Sequence, residues 1–180
     1  MEKIKIRSTT ILGVRVGKKV ALGGDGQVTM GDIKMKSKAI KVRDFANGTV
    51  LAGFAGAAAD AMSLFERFEG KLEEAHGNLQ KAVVEMAKDW RTDKILRELD
   101  ALLAIMDKNN SYLLSGSGDV IEPDDRIITI GSGSGYALAA SRAFLNSGEK
   151  DPKKIVRKSL EIVSDICIYT NDHINILEIK

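Results

Sequence analysis

Cysteine and histidine are scarce in this chain: one Cys and two His among 180 residues. A lone Cys167 forms no intramolecular disulfide and no cysteine cluster for zinc. With His76 and His173 as the only imidazoles, neither a histidine-based triad nor a histidine metal site is expected. Long hydrophobic runs are also missing, every apolar stretch falling well short of the roughly 18 residues that suggest a membrane span. Charge of one sign is not in excess either. The formal net charge is +2, spread along the sequence without a basic tract, so neither a membrane nor a nucleic acid is an expected partner. Repeats, low-complexity tracts, linkers and a Walker A sequence are absent. Gly131-Ser132-Gly133-Ser134-Gly135 stands where a dinucleotide fingerprint would, but Tyr136 occupies the position of its third small residue and no βαβ pattern surrounds it. No nucleotide is therefore expected on this chain.

What is present is an ordinary globular composition, 44% apolar and 29% charged, in a length that suits one domain with a sizeable core. Its most informative feature is Thr9-Thr10, followed at once by the strand-like run Ile11 to Val16. A threonine hydroxyl is a weak nucleophile until a base takes its proton, and the residue's own α-amine can be that base. Such an amine exists only once the Ser8-Thr9 peptide bond is cut. Read alone, the pair is equally ordinary β-propensity at the start of a strand. Downstream, Val20 to Gln27 reads as an apolar strand ending in the glycine-flanked Asp25, and Lys41-Val42-Arg43 as a basic stretch in a further strand. An α-amine titrates near 7.7 to 8 in model peptides, so about neutral pH it is largely protonated. A nearby ammonium such as Lys41, held by Asp25, would lower that value by like-charge repulsion. Asp25 can equally be a turn residue and Lys41 part of a solvated strand face.

Hydrophobic periodicity supplies the frame. One hairpin is expected from Thr9 to Val16 and Lys19 to Leu22 around Gly17-Lys18, and a second from Ile40 to Phe45 and Thr49 to Phe54 around a two-residue Asn47-Gly48 turn. The period then changes to 3.6. Ala61, Leu64, Phe65, Phe68 and Leu72 mark one helix face; Asn78 caps a second helix carrying Leu79, Val83, Met86 and Trp90. Another hairpin spans Ala101 to Met106 and Tyr112 to Leu114, and a strand covers Arg126 to Ile130. Helices follow from Gly135 to Leu145 and from an Asp151-Pro152 start, with a closing strand from His173 to Ile179. Two antiparallel sheets, each with a helix pair for its outer face, make a four-layer αββα sandwich of α+β class a natural arrangement, with a plainer α+β domain as the alternative.

The ordered blocks Thr9-Thr10-Ile11, Gly24-Asp25-Gly26-Gln27, Lys41-Val42-Arg43, Leu51 to Gly56 with Ala59-Asp60, Ala87 to Asp93, Gly131-Ser132-Gly133 and Ile166 to Asn171 together resemble the HslV (ClpQ) family of proteasome-like peptidases. The resemblance runs from Thr9 to the C-terminus. It implies a threonine-type endopeptidase with the N-terminal-nucleophile fold, cleaving unfolded polypeptides. It also implies Thr9 as nucleophile, Asp25 and Lys41 as its supporting pair, Ser132 as an organiser of protons near the amine, and Gly56 as an oxyanion donor at a Gly53-Phe54-Ala55-Gly56 turn. Gly56 can equally be a packing glycine, and Ser132 ordinary loop chemistry. Substrate would lie extended beside Thr29 and Ala55. Main-chain carbonyls of Ser164, Cys167 and Thr170 would hold sodium, though on the residues alone Cys167 reads as core packing at a helix end.

The same resemblance implies a homo-dodecamer of two stacked hexameric rings, fed by a hexameric HslU-type AAA+ ATPase, in the cytoplasm. Met1 to Ser8 would be a propeptide or an N-terminal extension, with residues 9–180 as the single peptidase domain. Its length departs from the many relatives that carry only a methionine before this threonine. Ser134-Gly135 and Ser164 depart from the family's usual residues as well. Two other classes compete: a catalytically inactive ring subunit, whose mark would be loss of Thr9, Asp25 or Lys41, and an amidase acting on small molecules.

Overall fold

A computed structural model describes residues 6–7, 9–56, 58–94, 96, 99 and 101–180, and the architecture below is that of these residues. Two sheets lie face to face between two helical layers. The first sheet is built on a hairpin, β2 (Thr10–Val16) with β3 (Lys19–Gly24), that turns at Gly17-Lys18 as expected; Gly17 takes a φ of +62° there. Pairing of Val16 with Lys19 fixes the register, so Leu22 stands opposite Gly13 and Gly24 opposite Ile11.

The second sheet grows from β6 (Val42–Phe45) and β7 (Val50–Ala55). Their connection is wider than a two-residue turn. Phe45 pairs with Val50, so Ala46 to Thr49 form the loop, and Ala46, Asn47 and Gly48 all adopt positive φ. The Asn-Gly signal marked the hairpin correctly but the ladder closes one pair earlier. Gly53, Phe54 and Ala55 also belong to strand β7 and not to a turn, which leaves Gly56 alone as the bend.

Next come α1 (Ala58–Glu74) and α2 (Leu79–Thr92), whose apolar faces match the sequence periodicity. The Asn78 side chain accepts the Lys81 amide at 3.0 Å, satisfying a donor that the first turn leaves unpaired. Strands β8 (Leu102–Met106) and β9 (Ser111–Ser115), with the short β10 (Val120–Ile121), extend the second sheet to the order β10-β9-β8-β7-β6. Strand β11 (Ile127–Gly131) and the final β12 (Asn175–Ile179) flank the first hairpin in the order β11-β2-β3-β12. Between β11 and β12 lie α3 (Ser134–Asn146) and α4 (Pro152–Ile166). Pro152 opens α4, and the Asp151 carboxylate accepts the Lys153 and Lys154 amides.

Three apolar clusters separate the layers. Leu64, Phe68, Met86 and Trp90 cover the outer face of the five-stranded sheet; Ile11, Leu22, Leu51, Met106 and Ile130 fill the space between sheets; Leu12, Ile155, Val156, Leu160 and Val163 join α3 and α4 to the four-stranded sheet. This is the four-layer αββα sandwich. Each large side chain buried this way is worth about 1.5–3 kcal/mol relative to exposure.

A third, smaller sheet had no sequence signal. Strand β4 (Val28–Met30) turns at Gly31-Asp32 into β5 (Ile33–Lys36), and on its other edge pairs antiparallel with β1 (Ile6–Arg7), Ile6 opposite Met30 and Arg7 opposite Thr29. Strands of two to four residues, one of them exposed throughout, are too short for a period to register.

Candidate active site

Thr9, just ahead of β2, lines a cavity of about 410 Å³ together with Lys41, Phe54 and Gly56. The β2/β3 hairpin sets Thr10 beside the turn after Gly24, and the Asp25 amide donates to the Thr10 carbonyl at 3.2 Å. In return the Thr10 amide donates to Asp25 Oδ1 at 2.8 Å. The same oxygen accepts Lys41 Nζ at 2.9 Å, while Oδ2 accepts the amides of Gln27 at 2.9 Å and Asn171 at 3.3 Å. A fully buried carboxylate is tolerated because hydrogen bonds and a counter-charge surround it.

Lys41 just precedes β6 and is itself buried. Two of its three N–H groups are accounted for by Asp25 and by the Gln27 carbonyl at 2.6 Å. Burial pushes its pKa below the ordinary lysine value, and the Asp25 charge and hydrogen bond pull it part of the way back. The solvated strand face that sequence alone allowed is therefore not its setting.

On the opposite side, the Ser132 amide donates to the Thr9 carbonyl at 2.8 Å, so Ser132 meets Thr9 through its backbone while its side chain stands exposed. The preceding Gly131 has a φ of +94°, and a Cβ there would run into the Thr9 carbonyl oxygen. Only glycine lets the two backbones meet so closely. Gly56, on the cavity wall, has a φ of +152°, where a side chain would likewise strain the backbone.

Thr29 is buried in β4, its hydroxyl accepting from Gln27 Nε2 at 3.0 Å. Ala55 ends β7 and pairs with Leu102; the β6 ladder stops at Val42 opposite Gly53, so on that side it does not reach Ala55. The edge of β4 at Thr29 is occupied by Arg7 of the chain's own N-terminal segment.

Ser164, Cys167 and Thr170 lie at the end of α4 and in the loop beyond it. The Cys167 amide closes the helix on the Val163 carbonyl at 2.8 Å, and its own carbonyl accepts the Thr170 amide at 2.9 Å. Cys167 also packs into the α3/α4 core, as the residue-level reading allowed. Carbonyls at a helix C-terminus carry partial negative charge and a second lone pair, so this donor chemistry fits a hard monovalent cation. Among the described residues no group of three or more His, Cys, Asp and Glu side chains is placed to hold a metal.

Three polar residues to which sequence assigned no role are built into the site. Thr10, Gln27 and Asn171 are buried and hydrogen-bonded to its parts. Gln27 and Asn171 stood within recognisable blocks, but nothing in one sequence says that residues 144 positions apart share a carboxylate.

The family model for proteasome subunits matches residues 6–179. The chain belongs to the proteasome-subunit family. Within this family it is 54% identical over 173 residues, 96% of its length and 98% of the relative's, to the ATP-dependent protease subunit HslV of Pseudothermotoga lettingae. Its fold is similar to the crystal structure of eukaryotic HslV from Trypanosoma brucei, with a TM-score of 0.88 at 44% identity, covering 94% of this chain and 98% of the other. The chain is a threonine-type peptidase with the N-terminal-nucleophile fold, the proteolytic subunit of an ATP-dependent protease.

Proposed function

We propose that Thr9 is the nucleophile of this peptidase and that it acts only after residues 1–8 are removed. The observation that carries this reading is the carboxylate of Asp25, which holds the Thr10 amide and the Lys41 ammonium on one oxygen beside the start of β2. In the uncut chain the Thr9 nitrogen is an amide and cannot serve as a base. Cleavage of Ser8-Thr9 turns it into an amine next to a buried cation, which favours the neutral, proton-accepting form. The Thr9 hydroxyl then attacks the substrate carbonyl as its proton passes to that amine through a water. An ester forms, the leaving amine takes the proton, and water attacks the ester by the same route in reverse. Gly56, lining the cavity with Thr9, supplies an N–H toward the developing oxyanion, and Ser132 organises protons near the amine.

Substrate adds as an extended strand beside Thr29 and Ala55, a mode that reads main chain and tolerates many sequences. Its support is the pairing already made there by Ile6-Arg7. Sodium held by the Ser164, Cys167 and Thr170 carbonyls would brace the loop that follows α4.

A peptidase so tolerant of sequence requires restricted access. Two stacked six-membered rings of this chain, fed unfolded protein in the cytoplasm by an HslU-type AAA+ hexamer, supply it. The near full-length likeness to HslV supports this assembly, as do the exposed apolar side chains Ile33, Met35, Ile166 and Ile168.

Intact mass of the purified protein beside a Thr9→Ala variant tests the mechanism. Loss of residues 1–8 in the wild type alone means self-processing by Thr9. Loss in both means removal by another enzyme. Retention in both, with peptide cleavage persisting, would rule out the Thr9 amine as base.

A further inference from the structure

The loop after α4 reaches both the opening of β2 and the turn after β3 through two adjacent side chains. Thr170 Oγ1 lies 2.7 Å from Thr10 Oγ1, which also accepts the Gly133 amide at 3.0 Å. Asn171 Oδ1 accepts the Gly26 amide at 3.0 Å and the His173 amide at 3.3 Å, and its Nδ2 donates to the Ser37 carbonyl at 2.9 Å. The Asn171 amide reaches Asp25 Oδ2. Thr10, Thr170 and Asn171 are all buried, and neither residue of the Thr170-Asn171 pair lines the cavity.

We propose that Thr170-Asn171 is a positioning element, fixing the opening of β2 through the Thr10 hydroxyl and the Asp25 turn through the Gly26 amide. This rests on the roles given above to Thr9, Asp25 and Lys41. Thr10 is joined directly to the nucleophile, and Gly26 directly to the residue that holds Lys41. Both anchors come from one loop, so a shift of that loop moves the nucleophile and its supporting charge together. Bonds from the Asp25 carboxylate to four donors leave little freedom in the turn, provided that the turn itself is held. The Asn171 amide group does so by satisfying Gly26 on one side and Ser37, just ahead of Lys41, on the other.

Displacement of reacting groups lowers turnover more than it lowers substrate binding, because the proposed substrate strand lies along β4 and β7, outside the loop that moves. The test is steady-state cleavage of a fluorogenic peptide by full-length protein with an HslU-type ATPase, normalised to active sites titrated with a covalent threonine-directed inhibitor. Thr170→Val keeps the side-chain volume and removes the hydroxyl; Thr170→Ser restores it. Thr170→Val and Asn171→Ala are expected to lower kcat roughly tenfold or more with KM within about twofold, and Thr170→Ser to return kcat to near the wild-type value. Wild-type kcat per titrated site in Thr170→Val would overturn the inference, as would a change confined to KM or a Thr170→Ser variant as slow as the valine. If Asn171→Ala fails to fold, the Thr170 pair decides. Lys41→Met separates the two levels: an active Lys41→Met protein defeats the underlying mechanism, whereas an inactive one beside fully active Thr170 and Asn171 variants defeats only this inference.

Discussion

Lys41 and Asp25 meet at 2.9 Å in a buried pair, and the carboxylate oxygen that holds the ammonium is the one that holds the amide of Thr10. The Lys41 cation and the start of β2 are thus fixed to a single atom. Under the mechanism proposed above, that bond makes the charge state of Lys41 a condition for activity.

Because burial is the largest influence on Lys41 and lowers its pKa from 10.5, its ammonium is lost at a lower pH than an exposed lysine's. Activity that needs this charge should therefore fall on the alkaline side before pH 10.5 is reached. Asp25 opposes the shift, so Asp25→Asn should move the alkaline limb further down as well as reduce the rate. A kcat profile between neutral pH and the alkaline limit checks this; an unmoved limb in Asp25→Asn would separate Lys41 from the titration.

Gly131→Ala places a methyl group against the Thr9 carbonyl and forces a residue with a side chain into positive φ. The variant should fold, because β11 ends there and the sandwich core lies elsewhere. A shift of about 1 Å at a reacting group can cost on the order of a hundredfold in rate. Peptide hydrolysis compared with the circular dichroism spectrum will show whether activity is lost while structure is kept.

Residues Ile6 and Arg7 occupy the β4 edge that the proposed substrate strand would use. In a Thr9→Ala background, a chain that keeps residues 1–8 should bind a labelled extended peptide at least about tenfold more weakly than one lacking them, a difference of roughly 1.4 kcal/mol. Fluorescence anisotropy measures it, and equal affinities would mean that β1 does not compete for this edge.

Phe68 is fully buried under the five-stranded sheet and meets Phe45 edge-on at 5.3 Å between ring centres. Phe68→Ala should destabilise the protein by about 3–5 kcal/mol through lost burial and an unfilled cavity. Denaturant titration gives the value. Asn78→Ala, which removes only the α2 cap, should cost about 1 kcal/mol.

Sequence alone determined the parts of this protein that depend on local periodicity and on residue type at a fixed offset. The 3.6-residue spacing of Leu64, Phe68 and Leu72, the Asn78 and Asp151 caps, and the Gly17 turn are properties of a short stretch, because a helix face or a hairpin is satisfied by near neighbours. Thr9, Asp25 and Lys41 could be named as a set only through the ordered blocks shared with the HslV family; residue by residue, Asp25 reads equally as a turn and Lys41 as a solvated strand face. Tertiary structure decided the rest. The width of the Ala46 to Thr49 loop depends on which pair of β6 and β7 closes the ladder, and the β1-β4-β5 sheet exists because an edge became available to strands too short to show a period. Only the pairing of β12 with β3 and the packing of α4 on the same sheet bring Asn171 to Gly26 and Thr170 to Thr10, since a hydrogen bond between distant residues needs a shared dry space and carries no spacing rule along the chain.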